Sequence, residues 1–146
     1  MIYKVAIASD HAGFELKSQL VELLKSPAYK YKVLDCGTNC ASQPCDYPDY
    51  AKIVCEQLAE ERANFGILIC GTGIGMSIAA NRLLNIRAAL CVNEFMAFKA
   101  RAHNNANVLV LGARIIAPET AQEIIKQFFL TKFEGGRHAN RLAKIN

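Results

Sequence analysis

Short apolar runs alternate along the chain with longer segments whose apolar residues recur every three or four positions. Three runs, residues 5–8, 67–70 and 108–111, are rich in β-branched residues and end at polar or turn-forming clusters. This pattern is typical of strands that are buried on both faces. Weaker strand signals cover residues 32–35 and 87–92. The sequence therefore predicts five short strands.

The segments between these runs have the spacing of amphipathic helices, with mostly charged or amide residues at the intervening positions. Three sets of apolar residues share one helical face each: Leu16, Leu20, Leu23 and Leu24; Ala51, Val54, Cys55 and Leu58; and Ala121, Ile124, Ile125 and Phe128. Pro48 and Pro118 lie where two of these helices would begin, and a proline in the first turn costs no hydrogen bond. The pattern predicts a helix at each of the three places.

Strands and helices that alternate at this spacing form βαβ units, which build a parallel sheet covered on both faces. We therefore predict an α/β fold, a three-layer, doubly wound, Rossmann-like domain whose five-stranded parallel sheet has a flavodoxin-like order. One domain spans residues 1–146, with residues 132–146 as a basic C-terminal tail. Arg137 and Arg141 lie four apart in this tail. On a helix they would share one face, either as phosphate ligands or as part of a solvated basic surface.

Composition favours a globular protein over a nucleic-acid or membrane protein. The chain has 146 residues, of which 52% are hydrophobic and 21% charged, and the slight apolar excess points to a buried subunit contact. The net charge of +4 is spread along the chain, which gives little support to nucleic-acid binding. No window is long and apolar enough to span a membrane. Six cysteines without a secretory signal indicate a cytoplasmic protein with free thiols.

The turn after the third predicted strand combines a thiol with three glycines at alternate positions: Cys70, Gly71, Thr72, Gly73, Ile74 and Gly75. The glycines allow backbone N–H groups to converge on a bound anion at the start of the next helix. The positive end of the helix dipole favours the thiolate of Cys70, which is then available as a base or nucleophile. The alternative is that Cys70 packs as a small hydrophobic side chain.

This motif excludes several other functions. A Walker A loop would contain Gly-Lys-Ser/Thr, and the glycine spacing differs from that of a dinucleotide-binding fingerprint. A cysteine-dependent phosphatase needs an arginine six positions after its cysteine, and Met76 occupies that position. Cys36, Cys40 and Cys45 lack the Cys-x-x-Cys spacing of zinc sites. We therefore expect neither a metal nor an organic cofactor.

Other polar residues follow predicted elements at places where ligands bind. Asp10 and His11 come directly after the first strand, and open parallel sheets bind ligands at the carboxyl ends of their strands, where the strand order reverses. His103 and Asn104 close a helical stretch before the strand at 108–111. For these two residues, a structural role at the helix end and a role in ligand binding both stay open.

Five motifs, taken in their order along the chain, resemble those of one known family. The likeness is carried by Ser9-Asp10-His11-Ala12-Gly13, Asp46-Tyr47-Pro48, Cys70-Gly71-Thr72-Gly73-Ile74-Gly75, His103-Asn104 and Gly135-Gly136-Arg137-His138. The chain closely resembles ribose-5-phosphate isomerase type B along almost its whole length, and galactose-6-phosphate isomerase subunits share much of the set. The loop over residues 36–44 is longer and richer in cysteine than is usual in this family.

The resemblance implies an aldose–ketose isomerase of the non-oxidative pentose phosphate pathway that interconverts ribose 5-phosphate and ribulose 5-phosphate. In such an enzyme, Asp10 and His103 would help to open the furanose ring. Cys70 would then remove the proton next to the carbonyl, which gives a cis-enediolate. One branch of the family uses instead a glutamate directly after the last glycine of the turn, and here that position is Met76.

The resemblance also implies ligands for each part of the substrate. The enediolate and sugar would contact the backbone of Gly71, Gly73 and Gly75 and the side chains of Thr72, Tyr47 and Asn104. The phosphate would bind to His11, Arg137 and Arg141, with Arg114 reaching in from a second subunit. The protein would then be a homodimer or tetramer with a shared active site.

Two other functions stay open at this point. Within the same class, the substrate would be galactose 6-phosphate or allose 6-phosphate. Outside it, the chain would be a noncatalytic module that binds a phosphorylated ligand, with Cys70 merely packed in the core.

Overall fold

The computed structural model describes residues 2–145, so the two terminal residues of the domain predicted over 1–146 lie outside the described part. Five strands are present in this range: β1 (Lys4–Ser9), β2 (Lys32–Asp35), β3 (Phe65–Cys70), β4 (Ala88–Leu90) and β5 (Val108–Gly112). Six helices accompany them: α1 (Phe14–Lys25), α2 (Tyr47–Ala59), α3 (Ile74–Asn81), α4 (Glu94–Ala102), α5 (Pro118–Leu130) and α6 (Arg137–Leu142). All five predicted strands are confirmed, although β4 is shorter than expected. The two helices predicted with a proline in the first turn are confirmed: α5 begins at Pro118, and α2 begins one residue before Pro48.

The sheet is entirely parallel, as predicted, with the strand order β2-β1-β3-β5-β4. The flavodoxin-like order 2-1-3-4-5 holds for the first three positions, whereas the last two strands are exchanged. The burial of the two strands matches the exchange. All five residues of β5 are buried, while the three residues of β4 are only half-buried. The longer strand, with its larger apolar side chains, lies in the interior of the sheet, and the short Ala-Ala-Leu strand lies at its edge.

Helices cover both faces of the sheet and complete the three predicted layers. α1, α4 and α5 enclose one apolar cluster, which contains Leu20, Ala97 and Phe128. α2 and α3 enclose the other cluster, which contains Val54 and Met76. None of the helices between residues 2 and 145 has the length and apolar character that crossing a membrane requires.

The C-terminal tail ends in a short helix and does not extend into solvent. Gly135 and Gly136 adopt φ values of 70° and 56°, a left-handed conformation that favours glycine, and α6 follows directly. The backbone N–H of Glu134 donates a 3.0 Å hydrogen bond to the carbonyl of Ala102, the last residue of α4. The tail is therefore attached at the amino end of the sheet, where β5 begins.

Candidate functional site

The glycine turn brings a backbone N–H group to the sulfur of Cys70. Cys70 is the last residue of β3 and is 4% exposed. The N–H of Gly73 donates to its Sγ atom at 3.2 Å. Gly73 has a φ of 80°, and a Cβ atom at this position would lie 2.5 Å from Leu90 Cδ1. Only glycine fits this bend, so the contact with the sulfur depends on it.

The surroundings of the Cys70 sulfur are polar on the side of the glycine turn. The sulfur accepts a hydrogen bond and lies next to the N-terminus of α3, where unpaired N–H groups carry partial positive charge. Thr72 is exposed, and its Oγ1 accepts a 3.2 Å hydrogen bond from the N–H of Ile74, which stabilises the start of the same helix. Met76, fully buried in the core, carries no titratable group, so this position offers the site no alternative base.

The loop after β1 adds a carboxylate and an imidazole at the same end of the sheet. Asp10 is 7% exposed, and its Oδ1 accepts a 3.1 Å hydrogen bond from the N–H of Gly13. The backbone N–H of Asp10 donates to the carbonyl of Ile69, the residue before Cys70 in the chain. His11 Nδ1 accepts a 3.2 Å hydrogen bond from the N–H of Cys45. The cysteine-rich loop therefore lies against the predicted phosphate-binding histidine.

Tyr47 and Arg114 flank the glycine turn in the same chain. The Tyr47 ring packs so closely on Gly75 that an added Cβ would lie 2.4 Å from Tyr47 Cζ. The N–H of Arg114 donates a 2.9 Å hydrogen bond to the carbonyl of Gly71, and its Nη1 lies 3.1 Å from the position of a Cβ on Gly71. Arg114 was expected to approach from a second subunit. The structure instead places it beside the glycine turn of its own chain, because the turn after β5 adjoins the turn after β3.

The remaining predicted residues lie at the opposite end of the sheet. His103 and Asn104 follow α4 and precede β5, and the carbonyl of Asn104 accepts a hydrogen bond from Arg87 Nε, just before β4. Val108 of β5 pairs with Gly66, and Gly112 pairs with Cys70. The four-residue rise between these pairs separates the two ends by about 13 Å. One chain therefore does not bring Cys70 and His103 together around one small ligand.

The sequence itself contains a signal for this separation. A helix that connects two parallel strands runs antiparallel to them, so the residues that close it must lie at the amino end of the sheet. His103 closes such a helix, whereas Cys70 closes a strand. The predicted site residues thus form two groups, one at each end of the sheet.

The amino-end group contains two residues to which sequence analysis gave no role. The His138 ring stacks on His103 with centroids 3.9 Å apart and an interplanar angle of 14°. Glu134 Oε2 lies 3.4 Å from His138 Nε2 and 3.6 Å from His103 Nε2. The two imidazoles and the carboxylate thus place three possible metal ligands within 4.8 Å of one another. Arg137 and Arg141 lie on exposed positions of α6 beside this cluster.

His138 is buried and neutral at neutral pH. Its residue exposure is 5%, and within residues 2–145 its Nε2 atom has no hydrogen-bonding partner. Burial lowers the pKa of His138, and the neighbouring His103, Arg137 and Arg141 lower it further, while Glu134 has the opposite effect. The sequence indicates little about His138 beyond its position shortly after two glycines. Its burial could not be predicted, because it depends on how the tail packs against α4.

Each chain therefore presents two separate groups of polar residues, one at each end of the sheet, which we call half-sites. The carboxyl end of the sheet supplies a thiol, a carboxylate and the backbone N–H of Gly73, which suit proton transfer next to a developing negative charge. The amino end supplies imidazoles and two guanidinium groups, which suit ring opening and phosphate binding.

Comparison with known proteins decides the family. The family model described as Ribose/Galactose Isomerase matches residues 5–145. The chain belongs to the ribose/galactose isomerase family. Its resemblance to this family, inferred from the ordered motifs, is thereby confirmed.

Several relatives match the chain from end to end. A putative sugar phosphate isomerase of Rickettsia bellii is 56% identical over 143 residues, which cover 98% of this chain and 97% of the relative. The ribose-5-phosphate isomerase B of Escherichia coli K12 is 42% identical over 142 residues, which cover 97% of this chain and 93% of the relative.

Solved structures of family members have the same fold. A ribose 5-phosphate isomerase from Thermotoga maritima superposes with a TM-score of 0.94 at 52% identity, covering 98% of this chain and 97% of that one. Ribose-5-phosphate isomerase B from Mycoplasma genitalium was solved with bound ribulose-5-phosphate. It superposes with a TM-score of 0.93 at 42% identity, covering 99% of this chain and 95% of that one.

Proposed function

We propose that this protein is an aldose–ketose isomerase that interconverts ribose 5-phosphate and ribulose 5-phosphate. The observation that carries the proposal is the contact between the Gly73 N–H and Cys70 Sγ at the carboxyl end of the sheet, in a chain of the ribose/galactose isomerase family. The relative with bound ribulose-5-phosphate supports this choice of substrate class, since its fold covers nearly the whole chain.

In the proposed mechanism, Cys70 acts as the base. Its thiolate removes the C2 proton of the open-chain aldose, and the electron pair of the broken C–H bond forms the C1–C2 double bond of a cis-enediolate. The N–H groups of residues 71–75 and the side chain of Asn104 stabilise the oxyanion. The hydroxyl proton on O2 moves to O1, and the thiol returns its proton to C1, which gives the ketose and restores the thiolate. Thr72 and Tyr47 position the sugar.

Ring opening precedes this step and uses groups from both half-sites. Asp10 and His103 move a proton between the ring oxygen and the C1 hydroxyl, so that the furanose opens to the aldehyde. Asp10 lies at the carboxyl end and His103 at the amino end of the sheet of one chain. A complete site therefore requires the His103 of a second copy.

Because one chain separates these groups, we propose that the active site is shared between two subunits. His11 and Arg114 of one chain bind the phosphate together with Arg137 and Arg141 of the other. Large apolar side chains surround the carboxyl end of the sheet and support a protein contact there. They include Ile74 at 56%, Phe95 at 66% and Ile115 at 55% exposure, values that a second copy would reduce.

The experiment is an isomerisation assay with ribose 5-phosphate in deuterated water. The wild-type protein should produce ribulose 5-phosphate and exchange the C2 hydrogen of the aldose with solvent. Cys70→Ala should lower turnover by about 10²- to 10⁴-fold, the range for loss of a general base. Cys40→Ser, which changes a thiol in the loop, is the matched control and should retain activity. An active Cys70→Ala protein would exclude Cys70 as the base.

The alternative functions give different results in the same assay. A galactose or allose 6-phosphate isomerase would show a higher kcat/KM for the hexose phosphate than for ribose 5-phosphate. The family description, which includes galactose, makes this comparison necessary. A noncatalytic binding module would bind the sugar phosphate without any C2 exchange.

A further inference from the structure

Two residues that the proposed mechanism does not use hold the side chain of His103. The His138 imidazole stacks on the His103 ring at 3.9 Å, nearly parallel to it. His138 is 5% exposed and therefore belongs to the packed interior. Glu134 Oε2 lies 3.6 Å from His103 Nε2, within ion-pair distance. The stack restricts the tilt of the His103 ring, and the carboxylate restricts its rotation.

The charges around this cluster indicate what it does. The two imidazoles and the carboxylate lie within 4.8 Å of one another, a spacing that also fits a divalent cation. However, the ammonium of Lys99 lies 3.4 Å from His103 Nε2, and the guanidinium groups of Arg137 and Arg141 act on the neighbouring ring. Three positive groups oppose a metal cation and favour a nearby anion, such as a phosphate. The cluster is therefore better suited to orienting an imidazole than to binding a metal.

We propose that Glu134 and His138 are positioning residues that hold the His103 imidazole for furanose ring opening in the partner's site. The inference rests on the proposed function, in which His103 assists ring opening across the subunit contact. Glu134 and Lys99 both lie on the Nε2 side of the ring, which leaves Nδ1 for the sugar. A ring that is fixed on one face and at one nitrogen keeps its other nitrogen within the narrow range of positions that proton transfer requires.

Ribulose 5-phosphate separates ring opening from proton abstraction. Its carbonyl is at C2 and its C5 oxygen carries the phosphate, so it has no furanose form to open. Conversion of ribose 5-phosphate needs both steps. Exchange of the C1 hydrogen of ribulose 5-phosphate with deuterated solvent needs only proton abstraction by Cys70. A defect in the orientation of His103 should therefore affect the first reaction and spare the second.

Glu134→Gln is the main test variant because it removes the charge and keeps the shape of the side chain. We expect its kcat for ribose 5-phosphate to fall about tenfold, as for a misplaced catalytic group. Its rate of C1 exchange in ribulose 5-phosphate should stay within about twofold of wild type. His138→Phe keeps a stacked ring, so it should lose less ring-opening activity than His138→Ala. Glu123→Gln, in an exposed pair with Lys126 on α5, is the matched control.

Three results would overturn the inference. Equal slowing of both reactions in Glu134→Gln and His138→Phe would assign these residues a purely structural role. Unchanged rates in both variants would show that His103 does not need them. Equal activity of His138→Phe and His138→Ala would exclude the stack as the restraint. Failure of the proposed function has a separate signature, namely a wild-type protein that exchanges no C1 hydrogen in ribulose 5-phosphate.

Discussion

The backbone N–H of Gly73 donates a 3.2 Å hydrogen bond to the sulfur of Cys70. This contact joins the last residue of a buried strand to the first turn of a helix, and it requires the left-handed backbone of a glycine. The sulfur therefore has the apolar core on one side and the N–H of Gly73 on the other.

The cysteines should differ in their reactivity toward iodoacetamide near neutral pH. Burial raises the pKa of Cys55 to about 11 and that of Cys91 to about 12, so both remain protonated and unreactive in the folded protein. Hydrogen bonds from Ser42 lower the pKa of Cys40, which should react readily. Cys70 should react at a rate that ribose 5-phosphate slows. Peptide mapping by mass spectrometry measures each rate, and modification of Cys91 as fast as Cys40 would contradict this order.

Gly75→Ala should impair activity more than stability. The new Cβ would collide with the end of the Tyr47 ring, which is 38% exposed and can move away at small cost to the fold. We expect kcat/KM to fall about tenfold through the displaced ring, with the free energy of unfolding changed by less than about 1 kcal/mol. In a Tyr47→Ala background, Gly75→Ala should have little further effect on kcat/KM. Additive losses in the double variant would exclude this contact as the cause.

Asp35→Asn should destabilise the fold because it removes the charge partner of a buried lysine. Lys17 has a side-chain exposure of 1%, and its Nζ lies 2.5 Å from Asp35 Oδ1, which is 40% exposed. We expect a loss of about 2 kcal/mol in urea unfolding, less than for a fully buried pair because Asp35 is partly solvated. The double variant Lys17→Met, Asp35→Asn should recover most of the lost free energy of unfolding. Glu56→Gln, in an exposed pair with Lys52, should cost about 0.5 kcal/mol or less.

The protein should lose stability in mild acid through His138. Burial lowers the pKa of this residue in the folded state below its usual value of 6.5, so the unfolded chain binds a proton first as the pH falls. The free energy of unfolding should therefore decrease as the pH drops from about 6.5 toward the lowered pKa. His138→Gln should show a smaller decrease over the same range. Parallel pH curves for the two proteins would mean that His138 does not contribute.

Much of the fold is encoded in local sequence, whereas the arrangement of the site is not. The strand at 67–70 and the glycine turn after it are evident from β-branched residues and alternate glycines, because both depend on short-range backbone preferences. The exchange of β4 and β5 depends on which strand is better buried in the sheet, and only tertiary packing determines that. The same holds for Arg114, whose position beside Gly71 follows from two adjacent strand ends. His138 acquires its role only because the tail packs against α4.

Subunit complementation tests the central claim, that Cys70 acts together with the His103 of a second chain. Cys70→Ala and His103→Asn should each be nearly inactive alone. When the two are coexpressed, half of the dimers are hybrids with one intact site, so activity should recover to about one quarter of wild type. Cys70→Ala coexpressed with Asp10→Asn is the control, since both changes lie at the same end of the sheet and leave no intact site. Failure of the first pair to recover activity, with hybrid dimers present, would contradict the account.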